Sequence, residues 1–128
     1  MNDTADAQTA IDALSADFFR CVSFAKGQRP DYAGIRDLFV PAGILFKGVV
    51  TAVEETSVEE FIEPRQRSFD DGTLTEFRET ELSSTTTIFG WAASRQSVYD
   101  KAGVSGGSQI SGRGIIFTQF VFLNGAGE

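Results

Sequence analysis

The back half of the chain carries the pattern that most restricts its fold. Ile88-Phe89-Gly90-Trp91-Ala92-Ala93-Ser94-Arg95-Gln96-Ser97-Val98-Tyr99, and then Gly112-Arg113-Gly114 with residues 115–123, set bulky or polar side chains against glycine, alanine and serine. Such alternation marks strands, whose successive side chains point to opposite faces. Small residues along one face leave room for a sheet to curve around a pocket. Residues 74–83 alternate in the same way and are predicted to turn at Ser83-Ser84 into a strand over 85–99. A loop over 101–109, carrying Gly103, Gly106 and Gly107, leads into the strand over 111–123. The expectation is an antiparallel meander of long strands.

The front half changes period. Residues 1–9 are small and polar and are expected to fray. Ile11, Leu14, Phe18, Val22 and Ala25 then recur at helical steps, with Phe19 widening the stripe, and the pattern ends near Gly27. Pro30-Asp31 opens a shorter helix with Tyr32, Ile35, Leu38 and Phe39 on one face, stopped by Pro41. Around Lys47-Gly48, residues 44–53 read as a β-hairpin. A capping box, Thr56 with Glu59 or Ser57 with Glu60, starts a third helix near Val58 that Asp70-Asp71-Gly72 ends. Helices gathered in front and strands behind predict an α+β fold in one domain over 1–128. Asn124-Gly125-Ala126-Gly127-Glu128 reads as a hairpin turn with no strand after it, so a final sheet strand is expected to be missing. The expectation is a longer gene product or an abnormally paired edge.

Function classes are narrowed by what the chain lacks. It has no histidine and a single cysteine, Cys21, which rules out an intrachain disulfide and any Ser-His-Asp or Cys-His system. The acids are scattered without EF-hand spacing, and neither metal nor cofactor is expected. A net charge of −7 disfavours nucleic acid and anionic membranes as partners. With neither an apolar span nor a signal-like start, the expected location is the cytoplasm.

Phe77-Arg78-Glu79, Phe89-Gly90, Ala93, Ser97-Val98-Tyr99, Arg113-Gly114 and Gln119-Phe120, taken with the element order, resemble the nuclear transport factor 2-like superfamily. The similarity is to its SnoaL-like, cystatin-like cones, and within them to bacterial small-domain members of unassigned function. The resemblance implies a cone-shaped, curved antiparallel sheet with three helices from the N-terminal half packed on its concave face. It also implies a ligand pocket between them. Family catalysts with a histidine-aspartate pair, or with an aspartate and tyrosine set, find no matching residues here, and those activities are not carried over.

Alternation puts Trp91, Arg95 and Tyr99 on one strand face, together with Ala93 and Ser97. If that face lines the cavity, Arg95 and Tyr99 are candidate partners for an oxygen atom of the ligand, and Leu14, Phe18, Phe39, Phe61 and Trp91 are candidate apolar walls. The commoner arrangement pairs such an arginine with Glu76, Glu79 or Glu81 across the sheet. Glu79, on the same strand face as Glu81, is a candidate general acid or base if it points inward; solvated glutamates are commoner. The expected function is binding of a small apolar or weakly anionic molecule. A metal-independent lyase, isomerase or hydrolase and a non-catalytic binding or dimerisation module both stay open. The strand over 111–123 is apolar on both faces, Ile115, Phe117 and Val121 against Ile116, Phe120 and Phe122, which predicts a sheet-to-sheet homodimer.

Overall fold

A computed structural model describes residues 3–41, 43–49 and 52–123. The first helix, α1 (Asp3–Val22), reaches back through the segment expected to fray. Its buried stripe is Ala7, Ile11, Ser15, Cys21 and Val22. Leu14 falls outside this stripe and is exposed, because the steps of four from Ala7 to Ile11 to Ser15 turn the helix about 60° away from it. Beyond α1, Phe24 joins the next element by two backbone bonds, its N–H to the Phe77 carbonyl at 2.7 Å and the return bond at 3.0 Å. Asp31 then caps α2 (Tyr32–Ile35) by accepting the Gly34 N–H at 3.0 Å, and one 3-10 turn (Arg36–Leu38) follows.

Strands β1 (Ile44–Val49) and β2 (Ala52–Ser57) form an antiparallel pair. Lys47-Gly48 is not their turn. Lys47 pairs with Glu54 and Gly48 with Val53, so both lie inside the strand, and the connection at 50–51 is outside the described residues. Of the two capping registers, the structure selects Ser57 with Glu60. The Ser57 hydroxyl accepts the Glu60 N–H at 3.1 Å and the Glu60 carboxylate accepts the Ser57 N–H at 2.8 Å, starting α3 (Val58–Asp70).

Three long strands, β3 (Leu74–Phe89), β4 (Ala92–Ser105) and β5 (Ser108–Val121), form an open antiparallel sheet in that order. The α+β class is therefore observed. Both sheet turns differ from the expected ones. Ser83-Ser84 lies within β3, and the chain reverses at Gly90-Trp91, where Gly90 takes φ +54°. Serine adopts extended backbone readily, whereas a two-residue hairpin needs positive φ that glycine supplies without strain. The expected nine-residue loop shrinks to Gly106-Gly107, with φ of +60° and +81°, the pattern of a type I′ turn.

Glu81 pairs with Tyr99 and Ser83 with Val98, which makes Leu82 an extra residue in β3. This bulge reverses the alternation. Glu79 and Glu81 precede it and Thr86 follows it, yet all three share the face carrying Arg95, Ser97 and Tyr99. The terminal turn at 124–128 lies outside the described residues.

Candidate functional site

Arg95 is on the face of β4 that α1 covers, 5% exposed, and every contact it makes there is to the protein itself. Its Nε and Nη2 donate to the two Glu81 oxygens at 3.1 and 2.8 Å, and its Nη1 donates to Asp12 at 2.7 Å and to Thr86 at 3.0 Å. Ser97 donates to Glu81 at 2.6 Å. The guanidinium fork matches the carboxylate and ties α1 to two strands. Arg95 is thus bonded across the sheet, to Glu81 among the three glutamates considered.

A different group of polar side chains, drawn from four elements, is left with hydrogen-bonding capacity. Glu79 on β3 is half-buried, and burial raises its carboxyl pKa against the opposing fields of Arg65 and Lys101. Tyr99 on β4 and Tyr32 on α2 have phenols raised by burial and, more weakly, by the Glu79 charge. Arg65 on α3 is lowered by burial while Glu79, Tyr32 and Tyr99 act in the opposite sense. Among the described residues, no hydrogen bond or ion pair engages the Glu79 carboxyl or either phenol. Tyr32 is nevertheless only 2% exposed.

Local sequence explains how each tip arrives. Asp31 caps the turn that holds Tyr32 beside Ile35 in a core with Cys21, Val22 and Ile62. Arg65 follows Ile62 by three residues and Phe61 by four, so it lies on the same side of α3. Its Nη1 donates to the Phe61 carbonyl at 2.8 Å and its guanidinium carbon sits 3.6 Å from the Phe61 ring centroid. Tyr99 lies over Gly114, its partner on β5, where an added Cβ would come within 2.8 Å of the phenol oxygen.

Next to these tips stands an aromatic row. Phe18 meets Phe39 at 6.4 Å and Phe61 at 6.0 Å between centroids, while Phe19 lies 5.8 Å from Phe18 and 6.5 Å from Tyr99. Four candidate pocket residues, Phe18, Phe39, Phe61 and Tyr99, therefore belong to one connected set. Trp91 does not join it. The strand alternation that aimed it inward stops at Gly90, and the indole stands on the turn, 70% exposed. Leu14 is exposed, and Arg95 is held in its own network.

Arg65 and Tyr32 were missed as site residues. The i to i+4 step from Phe61 to Arg65 was the available signal, and Tyr32 was read only as a core residue. Two open depressions lie elsewhere, one between α2 and α3 around Arg36 and Gln66, the other beside the Phe24-Phe77 bridge. No family model, curated protein or solved structure matches the chain.

Proposed function

We propose that this chain is a small-molecule-binding domain of the nuclear transport factor 2-like kind, a cone whose ligand lies between the helices and the sheet. The observation that carries the reading is the convergence of Glu79, Tyr99, Tyr32 and Arg65, with unused polar capacity, beside the Phe18-Phe39-Phe61 row. A pocket with one polar end and apolar walls is the usual form of a small-ligand site. The polar end orients the ligand; the rings supply contact area. Ligand-observed NMR with a set of ring-bearing compounds tests it. Binders should move the ring signals of Tyr32 and Tyr99, and Tyr99→Phe should weaken them by about 1 kcal/mol, the net contribution of one neutral hydrogen bond. Binders that perturb only residues distant from these tyrosines would refute the reading.

A catalytic version rests on Glu79, whose elevated pKa suits a general acid or base working without metal. Arg65, rather than Arg95, is then the cation available to substrate. Turnover lost in Glu79→Gln with binding retained is the expected sign; equal turnover in that variant would exclude the role.

A homodimer through the outer sheet face is the proposed assembly. Phe117 is 76% exposed, and Phe89, Ile115 and Val121 accompany it on that face. The charged pair nearest this patch, Asp100 with Arg113, sits toward the other end of the strands. Sedimentation at micromolar concentration should show a dimer that Phe117→Ser dissociates, and a wild-type monomer would contradict it.

A further inference from the structure

Resting on the binding reading above, we infer that the polar end of the site takes a carboxylate, the head of a singly charged ring-bearing acid, held by Arg65, Tyr32 and Tyr99 with Glu79 as its proton-bearing neighbour. The argument begins with the balance of donors and acceptors. A guanidinium offers five N–H groups, and of those on Arg65 one is engaged, by the Phe61 carbonyl. Two phenolic hydroxyls add donors, while the Glu79 carboxyl is the one acidic side chain facing them. A carboxylate brings about four acceptor sites and no donor, so it complements this set where an alcohol or amine does not.

Charge points the same way. Among the described residues no carboxylate lies within 4.0 Å of the Arg65 guanidinium, in contrast to Arg95, which is bonded to both Glu81 and Asp12. A cation removed from water gains most from an anion brought to it. A cationic ligand would instead meet Arg65 from α3 and Lys101 from β4, both facing Glu79. The remaining neighbours of Glu79 are Tyr32 of α2, Tyr99 of β4 and Ser23 after α1, whose hydroxyl accepts the Glu79 N–H at 3.1 Å. None of these gives an incoming cation a second negative partner. The Phe61 ring beneath Arg65, continued by Phe18, favours a flat apolar body behind the head.

One consequence separates this site from a simple basic pocket. A carboxylate seated beside Glu79 raises that residue's own affinity for a proton, so the ligand and a proton bind together. No bond is made or broken.

Isothermal titration of the full chain with a naphthoate and with the matching naphthyl alcohol tests the inference, at about pH 6 and about pH 8 and in buffers of different ionisation enthalpy. The naphthoate should bind at least about tenfold more tightly than the alcohol at the lower pH, with net proton uptake. Arg65→Met should abolish the preference, Arg65→Lys should keep part of it, and Glu79→Gln should bind without proton uptake. Near-UV circular dichroism confirms that each variant is folded, and the lysine variant supplies the reading if the methionine variant is not. Equal or tighter binding of the alcohol by the wild type would overturn the carboxylate assignment while leaving the pocket standing. Binding of neither probe by folded wild type would overturn both.

Discussion

Glu81→Ala should lower unfolding stability by about 3 kcal/mol, within the range found when one partner of a buried ion pair is removed. Arg95 would keep Asp12 and Thr86 but lose two hydrogen bonds, and Ser97 would lose its acceptor. Asp12 cannot replace the lost charge, since its side chain is 54% exposed and already solvated. Asp12→Ala should accordingly cost about 1 kcal/mol or less. Replacing Glu81 and Arg95 together by leucine should recover much of the loss, because no charge is then left unpaired. Urea unfolding of the four proteins completes the cycle. A change below about 1 kcal/mol in Glu81→Ala would show that the network contributes no more than a surface pair.

The same network fixes a pH dependence whose sign follows from its carboxylates. Burial acts to raise the Glu81 pKa, but hydrogen bonds from Arg95 and Ser97 outweigh it, and Asp12 is lowered by its bond from Arg95. A carboxylate held lower in the fold than in the unfolded chain stabilises above its ordinary range, and that stability disappears as pH falls through the folded value. Glu79 works in the opposite direction. Its folded pKa is raised, so its ionisation penalty is absent below the ordinary glutamate range and grows as pH rises through the folded value. These three groups together favour mildly acidic conditions over neutrality. Glu79→Gln should flatten the neutral side of the profile and leave the acid side in place.

Gly114→Ala should cost about 1–2 kcal/mol, the usual scale of overpacking, and should also weaken any ligand held by Tyr99. The new Cβ would sit 2.8 Å from the phenol oxygen and from Cε1 and 2.9 Å from Cζ, closer than real contacts allow. Phe19 packs against the ring, so the phenol has to leave its place. Gly112→Ala is the control, since its Cβ would meet only the flexible Lys101 stem at 3.1 Å. Cutting Tyr99 back to alanine should make Gly114→Ala nearly free. If Gly114→Ala costs nothing in the wild type and leaves the Tyr99 ring signals unmoved, glycine is not what makes room for this tyrosine.

Much of the architecture was legible because its signals are local. The Ser57-Glu60 box, the Asp31 cap and the change from helical to alternating period each act within about four residues, and each names an element and one of its ends. The order of elements, and with it the α+β class, needs nothing more. Turns were legible only where the chemistry demands positive φ: Gly106-Gly107 was found inside too long a loop, and Ser83-Ser84 was given a reversal that serine does not require.

The polar interior belongs to the other kind of information. A single extra residue, Leu82, decides that Thr86 faces the same way as Glu81, and no local propensity marks it. Arg95 looked like the available cation because alternation aims it inward; only the approach of α1 brings Asp12 to it and closes the network. Arg65 was invisible for the converse reason. On its helix it is one more charged residue, and it becomes an interior cation only when α2, β3 and β4 bring Tyr32, Glu79 and Tyr99 around it. Sequence by itself determined which segments are helices and strands, since backbone geometry and capping act over a few bonds. Tertiary structure alone decided which charges neutralise one another and which keep free valences, because that depends on distances between residues far apart in the chain.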